Sequence, residues 1–193
     1  MYKMIVTPNP ILIQIAEPVK SFDKKLESIL SGMKETLLAT TDPKGVGLAA
    51  PQVGLPLRIF LAKPTDKAQV STYINPVIEK TSVEEGILHH TNSARIERAK
   101  PKKSRGKLLE GCLSIPNIWG NVTRKKEVTL VWQDATGKKH KKKFKGFMAT
   151  VIQHEVDHLN GILFTKYVIE QNEKLYKSHK NEEGEDEFDE VNI

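Results

Sequence analysis

The sequence predicts an α+β domain in which short, mostly antiparallel strands surround a central helix. Three observations favour this class. Apolar residues recur at helical spacing from Phe147 to Asn160, and Gly161 stands where a C-terminal helix cap belongs. The apolar run at residues 128–133 is typical of a strand, and we expect a second strand at about 140–145, although its alternation is poor. A turn at 134–137 joins the two and suits an antiparallel hairpin.

The N-terminal half predicts a second helix and two further strands. Ser21 and Asp23 are candidate caps for a helix that we expect to end near Asp42 and Pro43. Its apolar positions keep the spacing of one helical face and are Leu26, Ile29, Leu30, Met33, Leu37 and Leu38. A Gly-rich turn follows, and the residues at 57–62 and 72–75 predict strands.

The 193 residues are enough for one domain and short for two. We expect a single domain at residues 1–180 with a basic loop insertion at about 85–107. Within it, residues 95–107 hold seven Lys or Arg against one Glu. A further helix is expected from about Glu170 to Lys180, followed by a disordered acidic tail at 181–193.

Charge is distributed unevenly along the chain. The net charge is +6, but residues 181–193 contain seven acidic side chains and no Lys or Arg. Without these seven of the 24 acids, residues 1–180 have 17 acidic against 30 basic side chains, a net charge of +13. This positive charge on residues 1–180 could favour polyanionic surroundings such as ribosomal RNA, although many basic surfaces are merely solvated.

The composition also bears on the compartment. No apolar run approaches the roughly 20 residues that span a bilayer, and Pro8 and Pro10 stand where a signal peptide would be apolar. We therefore expect a cytoplasmic protein with neither a membrane nor DNA as a partner. The single cysteine, Cys112, fits a reducing compartment and excludes a disulfide within the chain. Its possible roles are a metal ligand, a nucleophile or an inert core thiol.

The strongest chemical signal lies in the central helix. His154 and His158 are four residues apart, so a helix places both imidazoles on one face at metal-chelating distance. Glu155 lies about 60° around the helix from His158. From there its carboxylate can reach a metal-bound water and act as a general base. The sequence HEVDH therefore predicts a metal centre on this helix.

A catalytic metal site usually has three protein ligands and an open position. One family of metallopeptidases takes the third ligand six residues after the second histidine, but here that residue is Phe164. His140, His179 and the pair at 89–90 remain candidates, although each lies in a charged or loop-like stretch. Cys112 is the better candidate, because it stands beside apolar residues and a glycine, where a thiolate can be partly buried.

Three motifs occur in order, and they are GVGLAAPQ at 45–52, EGCLS at 110–114 and QHEVDHLNG at 153–161. Together they resemble the three motifs of peptide deformylases, and the similarity extends from the segment TPNPIL to about Tyr167. The resemblance implies a peptide-deformylase-like fold with a metal-binding central helix and a catalytic domain at 1–180. It also implies a hydrolase that removes the N-formyl group from the N-terminal formyl-methionine of newly synthesised polypeptides and releases formate.

The resemblance implies a role for each site residue. It implies one divalent metal ion with three protein ligands, which are Cys112, His154 and His158. A metal-bound hydroxide attacks the formyl carbon, and Glu155 passes the proton to the leaving nitrogen. The Gln52 side-chain amide and the Leu113 backbone N–H stabilise the negative charge of the tetrahedral intermediate.

Substrate contacts follow from the same resemblance. Val46 and Gly111 offer main-chain hydrogen bonds to an extended peptide, and Gly47 lets the backbone approach closely. A tight turn without this function is the alternative interpretation. The methionine side chain is expected in an apolar pocket of Val46, Phe147 and Val151, which could equally be plain core.

A thiolate with two imidazoles would hold Fe²⁺, Zn²⁺, Ni²⁺ or Co²⁺, and the order of metal affinities does not select one. The family typically works with Fe²⁺. We therefore expect Fe²⁺, with zinc as its replacement after aerobic purification.

Two features depart from the family pattern. The chain between Asn75-Pro76 and Glu110 is longer, and the excess includes the basic loop at 95–107, which we hypothesise to contact the ribosome. Family members often end in a basic helix that docks at the ribosome, but here acidic residues offset the lysines.

The sequence leaves two other functions open. The motif HEVDH alone would fit a metallopeptidase of a different kind, although Phe164 and the better placement of Cys112 disfavour it. A basic, metal-stabilised module that binds ribosomal RNA would explain the charge but would leave Gln52 and Glu155 without a role.

Overall fold

The computed structural model describes residues 1–87 and 109–191, which form mostly antiparallel sheets with a few helices. The α-helices are α1 (Lys24–Ala39), α2 (Gly146–Leu159) and α3 (Phe164–Glu170), and two short 3-10 helices lie at Pro10–Ile13 and Ala50–Val53. The strands are β1 (Gly47–Ala49), β2 (Ile59–Ala62), β3 (Ser71–Thr81), β4 (Glu85–Gly86), β5 (Glu110–Cys112), β6 (Ile115–Gly120), β7 (Arg124–Lys125), β8 (Glu127–Gln133), β9 (Lys139–Lys145), β10 (Leu175–Lys180) and β11 (Asp186–Val191). The α+β class predicted from the sequence is confirmed.

The larger sheet has the strand order β1-β2-β3-β8-β9, and every neighbouring pair is antiparallel. Helices cover both faces at the β1-β2 end, which explains why β2 is a continuous apolar run instead of an alternating one. Ile59 and Leu61 pack in the core below α1, whereas Phe60 and Ala62 pack in the core below α2. Helix α2 is therefore held by a buried sheet face.

A second sheet has the order β11-β10-β6-β5 and carries Cys112 at its β5 edge. Its inner side packs on α3 in a small apolar cluster that includes Cys112, Phe164 and Leu175. A third, two-stranded sheet pairs β4 with β7. Among the described residues, no helix is long and apolar enough to cross a membrane.

The central predictions of secondary structure are confirmed. Helix α1 begins after Asp23, whose Oδ1 accepts a hydrogen bond from the Leu26 N–H at 3.0 Å. Helix α2 is followed by Gly161 at a φ of 70°. Strand β3 is longer than the predicted 72–75. The hairpin β8-β9 forms as expected, and its lysines pair with carboxylates on the sheet, Lys141 with Glu79 and both Lys143 and Lys145 with Glu127.

Two predictions about the C-terminal segment are wrong. The helix expected at about 170–180 is instead strand β10, because Leu175 enters the apolar cluster beside α3 and the strand pairs with β6. The acidic segment is not disordered over its described part, because β11 pairs with β10 across six residues. Ion pairs reduce the repulsion between its acids, as Lys174 contacts Glu190 at 2.5 Å and Lys180 contacts Asp186 at 2.7 Å. The basic loop at 95–107 lies outside the described residues.

The packing of α1 gives a test of the fold. Met33→Ala is expected to lower the free energy of unfolding by about 2–5 kcal/mol, because it leaves a cavity in the core. Met33 is 0% exposed, whereas Leu38 on the same helix is 51% exposed. The control Leu38→Ala is expected to cost less than about 1 kcal/mol. Urea denaturation followed by circular dichroism measures both, and equal losses would contradict this orientation of α1.

Candidate metal centre

Helix α2 and strand β5 bring three metal-ligating side chains together. The donor atoms of Cys112, His154 and His158 all lie within 4.8 Å of one another. The Cys112 Sγ atom is 3.2 Å from His158 Nε2. The two imidazole rings are 5.0 Å apart and nearly perpendicular. The spacing in HEVDH therefore places both histidines on one face, as predicted, and β5 supplies the thiol opposite them.

The charges at this cluster favour the thiolate of Cys112, which is its metal-binding form, over the neutral thiol. Burial opposes ionisation of Cys112, but the positive charge of His158 and hydrogen bonds with both histidines outweigh it and lower the pKa of the thiol well below its usual value. Burial likewise opposes protonation of His154, but hydrogen bonds with Cys112 and Glu110 raise its pKa. A thiolate is the form of cysteine that binds metals.

The surroundings of His154 also fit a metal ion. Its Nδ1 lies 3.1 Å from Glu110 Oε2, so Nε2 remains for a metal. A carboxylate behind a ligating imidazole is the usual arrangement at metal sites, because it fixes the ring and raises its basicity. One thiolate and two imidazoles suit a first-row transition metal. The donor set and its support are therefore suited to a divalent cation.

A buried guanidinium holds that carboxylate in place. Arg124 donates two hydrogen bonds to Glu110, at 2.9 and 3.0 Å, and a third to Asp157 at 2.6 Å. Its guanidinium also lies 4.7 Å from the centre of the Tyr167 ring. Although burial disfavours the charged carboxylate, Arg124 lowers the pKa of Glu110 to about 2. These contacts connect β5 to α2.

Glu110, Asp157 and Arg124 have no role in the site predicted from the sequence. Glu110 lies in the EGCLS motif and Asp157 in HEVDH, so their positions next to the candidate ligands could have indicated a role at the site. Arg124 offers no such indication, because its partners are 14 and 33 residues away along the chain.

Gln52 lies beside the thiol, where the sequence interpretation requires a donor. The Ala49 N–H donates to its Oε1 at 2.8 Å, which turns the amide nitrogen toward Cys112 Sγ at 3.5 Å and Ser114 Oγ at 3.2 Å. Leu113 lies between Cys112 and Ser114 in the chain, so its backbone is also close to the thiol. Ser114, which the sequence reasoning missed, also donates its N–H to Sγ at 3.4 Å.

Glu155 is enclosed and incompletely paired. It is 4% exposed, and its Oε2 has no hydrogen-bond partner among the described residues. Burial raises its pKa to about 7, although both histidines oppose this. A Cβ atom at Gly47 would overlap Oε1 of Glu155, so the glycine lets β1 lie against the carboxylate. Buried oxygens normally accept a hydrogen bond, and a bound water or ligand can donate one to Oε2.

The expected methionine pocket is less distinct. Val151 is buried in the core below α2, and Val46 and Phe147 pack against the same cluster. A separate cavity of about 330 Å³ borders Cys112 and Leu113. The three residues are thus brought together, and their use as a pocket stays a prediction.

The other candidate ligands lie elsewhere. Phe164 is buried, with its ring 6.1 Å from the ring of His154, so an aromatic contact occupies the position of a downstream histidine. His140 contacts Asp134 at 2.6 Å, and His179 is exposed between Glu187 and Asp189. The pair at 89–90 lies outside the described residues.

The fold and this cluster define a class of enzyme, a hydrolase built around an HExxH helix that packs on antiparallel strands. A family model described as polypeptide deformylase matches residues 1–174. The chain is 37% identical to a peptide deformylase of Wolinella succinogenes, over 85% of this chain and 86% of that protein. It is 36% identical to the peptide deformylase of Brucella suis, over 86% of this chain and 83% of that protein.

Solved structures agree with these relatives. The peptide deformylase of Thermotoga maritima superimposes with a TM-score of 0.71 at 32% identity, covering 86% of this chain and 97% of that one. The peptide deformylase of Plasmodium falciparum superimposes with a TM-score of 0.71 at 32% sequence identity, covering 86% of this chain and 85% of that one. The chain therefore belongs to the polypeptide deformylase family, whose members are metal-dependent hydrolases acting on N-formyl-methionyl peptides.

Removing the guanidinium tests its structural role. Arg124→Ala should lower the free energy of unfolding by about 3–5 kcal/mol, because it leaves two buried carboxylates without their cation. It should also weaken metal affinity about 10- to 100-fold through loss of the support behind His154. Urea denaturation and zinc titration against a chelator measure these effects. Lys125→Ala is the control, since Lys125 is partly exposed and pairs with Glu85. Unchanged stability and affinity in Arg124→Ala would contradict this role.

Proposed function

We propose that this enzyme removes the formyl group from the N-terminal formyl-methionine of newly synthesised polypeptides and releases formate. One observation carries the proposal: the Cys112, His154 and His158 donors converge beside a buried carboxylate, on a fold whose relatives are peptide deformylases. Neither the metallopeptidase nor the RNA-binding alternative gains support from a described residue.

Cys112, His154 and His158 would hold the metal ion. A divalent cation supplies Lewis acidity there and makes water a nucleophile at neutral pH. We propose Fe²⁺ as the native ion, with Zn²⁺, Ni²⁺ or Co²⁺ as replacements, since the soft thiolate and the two imidazoles accept all four.

Glu155 is the proposed general acid and base. Its side chain is held between β1 and the histidines, and its Oε2 has no partner among the described residues. It takes the proton from the attacking water and delivers it to the leaving nitrogen. The enclosure that excludes solvent from Glu155 also keeps that proton within the site.

The proposed oxyanion donors are the Gln52 side chain and the Leu113 backbone. The hydrogen bond from Ala49 fixes which end of the Gln52 amide faces the thiol, so that the donor end points into the site. A donor oriented before the reaction needs no reorganisation as negative charge develops on the formyl oxygen.

The peptide is proposed to bind as an additional strand. Within the described sheets, β1 and β5 are both edge strands, and they carry Gly47 and Gly111. A peptide between them would form main-chain hydrogen bonds with residues such as Val46 and Gly111. Its methionine side chain is proposed to lie against Val46, Phe147 and Val151.

The cellular setting follows from this substrate. Nascent formylated chains occur where proteins are synthesised, so we propose a cytoplasmic location. We further propose that the basic loop at 95–107 contacts the ribosome, on the basis of its excess of six positive charges.

Formate release from a formyl-Met-Ala-Ser peptide tests the function. The wild-type enzyme, purified without oxygen and loaded with Fe²⁺, should release formate and leave the unformylated peptide intact. Glu155→Gln keeps the shape of the side chain and should lower kcat by about 10²- to 10⁴-fold, because it removes the proton carrier. Its metal content should be unchanged.

Glu170→Gln on the exposed end of α3 is the matched control and should keep full activity. Absence of formate release from folded, metal-loaded wild-type enzyme would refute the proposal. Cleavage of the unformylated peptide would instead favour a metallopeptidase.

Metal analysis tests the ion. Anaerobically purified enzyme should contain about one iron per chain if the thiolate and two imidazoles form a single site. Aerobic purification should replace much of the iron by zinc, because iron and thiolate are both prone to oxidation. Cys112→Ser should bind less metal of either kind. Zinc without iron in the anaerobic preparation would contradict the assignment of Fe²⁺.

A further inference from the structure

The C-terminal hairpin β10-β11 extends the sheet that carries Cys112. It begins at Leu175, directly after the residues that the family model matches. Strand β10 pairs with β6, with Tyr176 opposite Trp119, and β11 pairs with β10 on its other side. The hairpin is therefore an extension of this chain beyond the matched region, joined to the metal-bearing sheet by main-chain pairing.

Both strands of the hairpin hold the side chain of Trp119. The indole N–H donates a hydrogen bond to Ser178 Oγ on β10 at 3.0 Å. The ring of Phe188 on β11 meets the indole edge-on, with centroids 6.0 Å apart and planes at 76°. Ser178 and Phe188 are cross-strand partners, so they form one support on a single face of the hairpin.

The same indole lies against the strand that carries the metal ligand. Gly111 is the cross-strand partner of Trp119 and directly precedes Cys112. A Cβ atom at Gly111 would lie 2.6 Å from the indole ring, so the ring fills the space where a side chain would be. The position of Trp119 therefore determines the shape of the surface over Gly111.

We propose that the hairpin β10-β11 is a positioning element, which holds Trp119 over Gly111 and so sets how the enzyme binds the residues that follow formyl-methionine. The inference rests on the proposed function, in which Gly111 forms main-chain hydrogen bonds with the peptide. Side chains of an added strand alternate between the two faces of a sheet. One of those faces at Gly111 is formed by the indole, which offers an apolar contact to a side chain of the peptide.

Steady-state kinetics on two substrates test this positioning role. The substrates are formyl-methionine amide, which lacks following residues, and formyl-Met-Ala-Ser-Leu amide. Ser178→Ala removes the acceptor of the indole N–H and Phe188→Ala removes the aromatic contact. Each should raise KM for the longer peptide about 3- to 10-fold, the range expected from losing one such interaction. Both kcat and the KM for the short substrate should change less than about twofold.

Two variants serve as controls. Ser178→Thr retains a hydroxyl and should restore the wild-type KM, and Lys177→Ala removes an exposed side chain from the opposite face of β10. Tryptophan emission should shift to longer wavelength in Ser178→Ala and Phe188→Ala, because Trp119 loses its cover while Trp132 lies in the other sheet.

Each outcome separates the two proposals. An unchanged KM for the longer peptide in both variants would overturn the positioning role. Equal losses on both substrates would also overturn it, because they would indicate general destabilisation. If wild-type enzyme releases formate from neither substrate, it is the proposed function that fails.

Discussion

The site depends on one buried guanidinium. Arg124 neutralises Glu110 on β5 and Asp157 on α2, and these are the elements that carry the three candidate metal ligands. Burying one of these charges alone would be costly, so the three are stable only as a set. Because Glu110 also accepts a hydrogen bond from His154, the same set orients the imidazole of a candidate ligand. The distance between thiol and histidines is thus fixed by electrostatics as well as by packing.

Two buried carboxylates near the metal centre have opposite surroundings. Glu110 is surrounded by donors, and Arg124 keeps it ionised. Glu155 faces the backbone of β1, where Gly47 leaves it room, and one of its oxygens has no partner among the described residues. A fully bonded carboxylate holds its neighbours in place, whereas one with an unpaired oxygen is suited to exchange a proton. The same kind of side chain thereby supplies a structural support at Glu110 and the proposed proton carrier at Glu155.

The features that could be predicted from the sequence are those that depend on residues close together in the chain. HEVDH is a local pattern, so helical geometry was enough to pair His154 with His158, and Cys112 followed once the other candidates were weighed. Arg124 acts across 14 and 33 residues, which no local pattern encodes. Strand β10 was missed because its sequence, LYKSHK, lacks apolar alternation. Only the β6 edge and the cluster beside α3 make it a strand, and β11 then forms by pairing with β10.

The two edge strands at the site each require glycine, for different reasons. At Gly47 a side chain would collide with Glu155, and at Gly111 it would collide with Trp119. The first constraint leaves room for the proposed general base, while the second depends on Trp119, which Ser178 and Phe188 contact from the other strands of the sheet. Strand β11 occupies the edge opposite β5, so the hairpin β10-β11 leaves the β5 edge of this sheet open. The hairpin β10-β11 can therefore influence the proposed peptide-binding strand β5 through a single indole, while the candidate metal ligands lie on β5 and α2.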